Sequence, residues 1–330
     1  MSAIPVNTVL VIGALGQVGS ELLPALQLEH GADCVIASDV RRPSKPLEVP
    51  FELLDCTDTP QLHELVLRYK VKVIYHLAAL LSANAERQPR AAWRLNMDGL
   101  TGVLEVARLH GCQLFVPSSI AAFGPTTPRD QTPQQTIQRP NTMYGLTKVS
   151  GELLCDYYAQ RYGMDVRGLR YPGLISSSAP PGGGTTDYAV DIFHAALEHD
   201  QYTCFLEAQT FLPMMYMPDA IRATLELMRA DPAGLRNANA YNVQAMSFSP
   251  AQLASAIQSH LPSFKMQYQV DSVRQGIAES WPHSMDDSAA RDEWGWQPHY
   301  DLAGMTSEML ERLRPQNPGF LAVHKGTHGT

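Results

Sequence analysis

The sequence has few cysteines, no long apolar run and no excess of basic residues, and each absence excludes a class of protein. The five cysteines among 330 residues form no CxxC pair. We therefore expect neither a disulfide framework nor a metal site, and the reducing cytoplasm is the expected location. No apolar stretch reaches the length that crosses a membrane, so a membrane partner is not expected. The net charge of −8 repels phosphate backbones and argues against nucleic acid as a partner.

The sequence does contain short apolar runs that alternate with amphipathic helical patterns. The runs typical of buried strands are residues 8–12, 33–38, 72–77, 113–117 and 165–170. Apolar residues recur at helical spacing in residues 19–28, 60–69, 91–110, 142–162 and 220–229. Strands that alternate with helices of this length predict βαβ units, and hence an α/β fold with a doubly wound parallel (Rossmann) sheet.

A glycine-rich turn joins the first predicted strand to the first predicted helix. Its sequence, GALGQVG, carries three glycines in a GxxGxxG spacing. Glycines let the backbone approach a pyrophosphate closely, and the helix N-terminus supplies free N–H groups and a positive dipole. We expect a dinucleotide to be held here by Gly13, Gly16, Gln17, Val18 and Gly19.

Two acidic residues follow the next two predicted strands. Asp39 lies 20 residues after Gly19, where a carboxylate accepts hydrogen bonds from the adenosine ribose and repels a 2′-phosphate. This position favours NAD over NADP, although the neighbouring guanidinium groups of Arg41 and Arg42 leave phosphate binding open. Asp55 is expected to meet the adenine, and a turn-forming role is an equal alternative.

A tyrosine and a lysine four residues apart form the predicted catalytic pair. Tyr144 and Lys148 share one face of the helix predicted over residues 142–162. The ammonium and a positive nicotinamide ring are expected to lower the tyrosine pKa from about 10. Ser118 and Ser119 end a strand at the sheet edge where such folds bind ligands, and either serine suits the reacting oxygen. The alternative is a half-buried tyrosine beside a surface lysine, with serines that bond within a turn.

These motifs together resemble the extended short-chain dehydrogenase/reductase superfamily. The resemblance covers residues 8–175 and is carried by the glycine turn, Asp39, the LAA strand end, Asn96, SIAAFG and YGLTK. It implies a catalytic triad of Ser119, Tyr144 and Lys148, and a homodimer that packs through the helix carrying the last two. The resemblance also implies further contacts to NAD, which are Leu77, Ala78, Ala79, Asn96, Tyr144, Lys148 and Tyr171.

The second half of the chain resembles one branch of that superfamily, which oxidises L-threonine at its β-carbon to 2-amino-3-oxobutyrate. The resemblance rests on RYPGLIS, PGGGTTDYAV, SWP, DDSAAR and WGW between residues 170 and 296. It implies a tyrosine phenolate as base and hydride transfer to nicotinamide C4. We expect a lid over the substrate that hinges at residues 182–184. The residues expected to bind substrate are Ser82, Ser118, Ser119, Tyr144, Gly184, Thr185 and Thr186.

The expected domain organisation follows from the change of pattern after Tyr171. Residues 176–186 are rich in Ser, Pro and Gly and predict a loop. We expect an NAD-binding domain over residues 1–175, to which 215–245 returns. A smaller C-terminal substrate-binding lobe is expected from 176–214 and 246–321, followed by a frayed tail over 322–330.

Two other functions are compatible with the same motifs. One is a nucleotide-sugar epimerase or dehydratase that keeps NAD bound, although the short loop over residues 182–188 argues against it. The other is a non-catalytic NAD-sensing protein, although such a protein does not need both Tyr144 and Lys148.

Overall fold

The computed structural model describes residues 7–178 and 182–314. The strands of this part of the chain are short, and most are buried. They are β1 (Val9–Ile12), β2 (Val35–Asp39), β3 (Phe51–Leu53), β4 (Val73–His76), β5 (Gln113–Phe115), β6 (Ser118–Ser119), β7 (Val166–Arg167), β8 (Leu169–Tyr171), β9 (Gly173–Ile175), β10 (Gln201–Cys204), β11 (Leu212–Tyr216), β12 (Tyr241–Asn242), β13 (Met246–Phe248) and β14 (Lys265–Tyr268).

The helices alternate with these strands. They are α1 (Gln17–His30), α2 (Thr59–Tyr69), α3 (Ser82–Arg87), α4 (Pro89–Trp93), α5 (Gly99–His110), α6 (Met143–Tyr162), α7 (Tyr188–His199), α8 (Met217–Arg229), α9 (Pro250–His260), α10 (Ser272–Glu279), α11 (Ser288–Trp294) and α12 (Leu302–Leu313). No helix in the described ranges is both long enough and apolar enough to cross a membrane.

The central sheet has six parallel strands in the order β3-β2-β1-β4-β5-β7. Side chains alternate between its faces, so Leu10 and Ile12 pack with α2, α5 and α6, whereas Val9 and Val11 pack with α1 and α8. Helices thereby cover both faces of the sheet. This explains why the strand sequences are continuous apolar runs and do not alternate with polar residues. The predicted doubly wound parallel fold is confirmed.

Three smaller sheets lie beside the central one. They have the strand orders β12-β8-β6, β13-β11-β9 and β10-β14. Strand β11 runs parallel to β9, and α8 packs against α1, so the chain after residue 211 rejoins the first half. A separate apolar cluster unites α7, α9 and α12. These contacts agree with the proposed division of the chain, which remains a prediction.

Several predicted elements differ in detail. The strand predicted over residues 165–170 is two strands, because Gly168 bonds to Ala238 and Tyr241 and the chain changes sheets there. The helix predicted over 91–110 begins at Pro89 and contains a π-helical turn, Arg94–Asp98. The helix predicted over residues 19–28 extends over Gln17–His30 and contains Pro24. Residues 179–181 of the predicted loop, and the predicted tail, lie outside the described residues.

Candidate active site

A cleft of about 230 Å³ opens at the carboxyl ends of the central strands. Strand order reverses between β1 and β4, and in parallel sheets ligands bind in the crevice at such a point. Most of the residues predicted for the site line this cleft: Gly13, Gly16, Gln17, Val18, Gly19, Leu77, Ala79, Ser82, Ser118, Ser119, Tyr144, Lys148, Tyr171, Gly184, Thr185 and Thr186. The structure therefore brings together residues that are up to 173 positions apart in the chain.

The glycine turn forms a close-packed cradle at one end of the cleft. Gly13 has a φ of +85°, and a Cβ there would lie 2.7 Å from the backbone nitrogen of Ala78. A Cβ on Gly19 would lie 2.6 Å from the carbonyl oxygen of Gly13. Gly16 precedes α1 without a side-chain cap, which leaves helix N–H groups directed at the cleft. The turn fits a pyrophosphate, because only glycine leaves space there and the free donors face it.

The two acidic residues predicted to contact the cofactor lie outside the cleft lining, as do Ala78 and Asn96. The Asp39 carboxylate accepts hydrogen bonds from the backbone nitrogens of Leu15 and Arg41, each at 3.1 Å. The Arg41 guanidinium lies 3.6 Å from the same carboxylate. Asp55 accepts from the backbone and hydroxyl of Thr57, and these bonds hold its pKa below the usual value. The geometry of Asp55 is therefore that of a turn, which was the alternative to an adenine contact.

Helix α6 carries the predicted catalytic pair. Thr142 caps this helix by accepting from the backbone nitrogen of Gly145 at 3.1 Å. Tyr144 forms a side-chain hydrogen bond with Ser119. The Lys148 ammonium lies 5.4 Å from the ring centre of Tyr144 and donates to the carbonyl of Pro117 at 2.7 Å. Serine, tyrosine and lysine thus meet at the cleft.

Burial dominates the electrostatics of this group. It raises the pKa of Tyr144 to about 12, and the hydrogen bond from Ser119 only partly offsets the effect. It also lowers the pKa of Lys148 to about 8. The expected fall of the Tyr144 pKa is therefore absent in the protein by itself, because loss of water around the phenol outweighs the lysine.

The two neighbouring serines have different partners. Side chains alternate along β6, so Ser118 and Ser119 point in opposite directions. Ser119 faces Tyr144 and also accepts from the backbone nitrogen of Ala121 at 3.2 Å. Ser118 is buried and donates to the carboxylate of Glu152. The geometry joins Ser119, rather than Ser118, to the tyrosine.

The predicted substrate residues border the same group. Ser82 is the first residue of α3 rather than part of a loop, and only 3% of it is exposed. The Thr185 hydroxyl is buried without a hydrogen-bond partner among the described residues. The indole N–H of Trp281 likewise has no hydrogen-bond partner among the described residues, and this side chain lines the cleft. Buried donors are normally satisfied, so these two indicate a missing polar partner.

Asp187 also lines the cleft and was not recognised from the sequence. Its carboxylate accepts from the backbone nitrogens of Gly183 and Gly184 at 2.8 and 2.7 Å. Burial raises its pKa, and the two backbone hydrogen bonds oppose that shift. Its position at the end of the GGGTTD run is the signal that could have revealed it.

Three further predicted contacts have structural partners. Asn96 accepts from the backbone nitrogen of Leu80 at 2.8 Å and donates to the Thr147 hydroxyl at 3.0 Å, which ties α6 to the loop after β4. Ala78 packs against Gly13. The Tyr171 hydroxyl bonds to Thr224, away from Tyr144. In the described part of the chain, no three His, Cys, Asp or Glu side chains are grouped to hold a metal.

The comparisons with known proteins now identify the family. The model of the NAD dependent epimerase/dehydratase family matches residues 9–243. The chain belongs to this family. An uncharacterized epimerase/dehydratase of Staphylococcus saprophyticus is 52% identical over 92% of the chain and 96% of its own length. The resemblance to extended short-chain dehydrogenases and the prediction of NAD as cofactor are thereby confirmed.

Two solved structures with similar sequence identity to this chain are threonine dehydrogenases. The L-threonine dehydrogenase of Clostridium difficile is 51% identical, with a TM-score of 0.92 over 94% of this chain and 98% of that one. A monomeric L-threonine 3-dehydrogenase from a metagenome is 47% identical, with a TM-score of 0.90 over 93% and 98%. These family members share the fold described above nearly from end to end.

Proposed function

We propose that this protein is an NAD-dependent L-threonine 3-dehydrogenase that works in the cytoplasm. The observation that carries the proposal is one cleft in which the glycine cradle meets Tyr144, Lys148 and Ser119. About half of the residues are identical to those of the solved threonine dehydrogenases, and this identity supports the choice of substrate. The five cysteines are free, which agrees with a reducing compartment.

The cleft residues suit an amino acid zwitterion. We assign the ammonium group to Asp187, whose carboxylate is held in place by two backbone N–H groups. The unpaired hydroxyl of Thr185 and the unpaired indole N–H of Trp281 are assigned to the carboxylate. Ser82, Gly184 and Thr186 complete the predicted substrate contacts, and they line the same cleft.

The proposed chemistry uses side chains of α6 and β6. The glycine turn, together with Asp39, is assigned to hold NAD, which supplies the acceptor for the hydride leaving the β-carbon. Tyr144, as phenolate, takes the proton of the threonine hydroxyl, while Ser119 donates a hydrogen bond to the same oxygen. Lys148 stabilises the phenolate by its charge. The product is 2-amino-3-oxobutyrate.

The test is the growth of absorbance at 340 nm when purified protein is mixed with NAD and L-threonine. We expect NADH to accumulate with L-threonine and not with UDP-sugars. Isomerisation of a UDP-sugar without net NADH would instead identify a nucleotide-sugar epimerase. NAD binding with neither reaction would identify a non-catalytic NAD-sensing protein.

A further inference from the structure

Helix α6 presents a third titratable residue on the face that carries Tyr144 and Lys148. Glu152 follows Lys148 by four residues, so the three side chains are stacked one turn apart. Only 4% of Glu152 is exposed. A carboxylate at such a depth is costly unless it is paired and fully hydrogen-bonded. The proposed mechanism leaves this residue without a role.

The Glu152 carboxylate is held rigidly by donors from three directions. Arg170 donates from Nε at 3.0 Å and from Nη2 at 2.8 Å, one bond to each carboxylate oxygen. Gln138 donates at 2.7 Å, and Ser118 donates to the oxygen that faces it. Arg170 is itself buried, and its guanidinium lies 5.0 Å from the ring centre of Phe123. This two-bond geometry fixes the direction as well as the charge of the carboxylate.

A small cavity of about 30 Å³ is lined by both this carboxylate and the lysine. Its other polar lining residues include His76, Asn96, Ser118 and Thr147. That volume holds one ordered water with polar partners. Lys148 has three N–H donors, of which the Pro117 carbonyl takes one, so donors remain for such a water.

The other titratable groups that face Lys148 are neutral at physiological pH. Burial lowers the pKa of His76 on β4 to about 3, so its imidazole is uncharged. Burial raises the pKa values of the Cys155 thiol and the Tyr144 phenol on the same helix. Glu152 opposes the loss of charge at Lys148, whereas burial favours it. Arg170 lies beyond Glu152, farther along the same network.

We propose that Glu152 is a positioning residue that keeps the Lys148 ammonium charged in its desolvated site, with Arg170, Gln138 and Ser118 fixing its carboxylate. This role also explains why the Ser118 hydroxyl bonds to Glu152 and not to Tyr144. It rests on the proposed function only in that Lys148 needs its charge to stabilise the Tyr144 phenolate.

The decisive measurement is a direct titration of Lys148. The chain has six lysines, so the ¹³Cε signals of lysine-labelled protein can be resolved and assigned with Lys148→Met. In Glu152→Gln, we expect the Lys148 midpoint to fall by about one pH unit, because the ammonium loses its nearby opposite charge. Glu152→Asp keeps the charge and should restore most of the shift.

Glu105→Gln is the matched control. It removes a carboxylate from the adjacent helix α5, where Glu105 bonds to Arg108 and Tyr158. We expect the Lys148 midpoint to stay within about 0.2 pH units in this variant, because solvent screens the more distant charge. An unchanged midpoint in Glu152→Gln, or one that rises, would overturn the proposal.

A second variant covers the case in which Glu152→Gln does not fold because Arg170 is left unpaired. The double variant Glu152→Gln with Arg170→Gln removes the guanidinium charge that would otherwise be left unpaired, and the Lys148 midpoint should still fall, since Glu152 is the carboxylate that acts on Lys148. A rise or no change there counts equally against the proposal. The titration needs no substrate, so failure of threonine oxidation and failure of this role are distinguished.

Discussion

At the scale of single residues, the site consists of groups whose protonation is set by burial. Tyr144 has its pKa raised to about 12, so the phenol is a poor base in the protein alone. Lys148 has its pKa lowered to about 8, so its charge is lost as the pH rises through that value. Lys148 therefore loses its charge at a lower pH than that at which Tyr144 ionises, so the phenolate–ammonium pair is a minor form in the protein alone. The kcat/KM for L-threonine should rise with pH up to about 8 and level off there, which a pH profile measures.

Tyr144→Phe removes the proposed base while keeping the ring in its packing. We expect kcat to fall by roughly 10³-fold or more, since no other hydroxyl replaces it. NAD affinity should stay within about twofold, because the glycine cradle is untouched. Steady-state NADH formation and calorimetric NAD titration measure the two effects. Full activity in this variant would contradict the mechanism.

Asp187→Asn tests the proposed contact with the substrate ammonium. Loss of a charge-assisted hydrogen bond of about 1.5–3 kcal/mol predicts a rise of roughly 10- to 100-fold in the KM for L-threonine. The KM for NAD should not change. Asp191→Asn removes the same charge one turn further along α7 and serves as the control. Equal effects of the two variants would argue against a specific contact.

At the scale of elements, the segment before α7 combines backbone freedom with tight packing. Gly183 has a φ of +90°, a conformation that other residues rarely adopt. A Cβ on Gly184 would lie 2.9 Å from the Asp187 carboxylate. The segment therefore depends on glycine both to make its turn and to admit the Asp187 side chain.

Gly184→Ala should lower turnover, because the new methyl group displaces Asp187 from its bonds to Gly183 and Gly184. We expect kcat/KM for L-threonine to fall by about tenfold, the effect of roughly 1.4 kcal/mol. Gly276→Ala in α10 is the matched control, since a Cβ there meets nothing within 4 Å. Steady-state constants identical to those of the unmodified protein in Gly184→Ala would refute both the proposed hinge and this contact.

At the scale of the whole molecule, α6 also presents an apolar outer face. Leu146, Leu153 and Tyr157 lie at helical spacing on this side and are 41, 62 and 53% exposed. Apolar side chains grouped in this way mark an interaction surface. We propose that two copies of the chain associate through this face, with the active-site side of the same helix turned inward.

Leu153→Glu should disrupt this homodimer, because a carboxylate replaces the most exposed apolar side chain of the face. Sedimentation velocity should show a dimer for the unmodified protein and a monomer for the variant. Leu109→Glu changes a similarly exposed leucine on α5 and should leave the dimer intact. A monomer in the unmodified protein would contradict the proposal.

Much of the site was predictable, because local chemistry demands particular residues at particular spacings. The glycine turn needs a strand before it and a helix after it, and the sequence carries both signals. Asp187 was passed over inside a motif that was interpreted for its glycines and threonines, whereas Glu152 belongs to no recognised motif. Asp187 gains its role from the backbone of Gly183 and Gly184, and Glu152 from Arg170, which lies 18 residues further along the chain on strand β8.

The sequence by itself determined the parallel fold, the phosphate cradle and the pairing of Tyr144 with Lys148, since all depend on periodicity and near neighbours. The tertiary structure alone decided which serine meets Tyr144 and that burial raises rather than lowers the tyrosine pKa. The reason is physical: side-chain direction and desolvation are set by residues distant in the chain, and no local pattern records them.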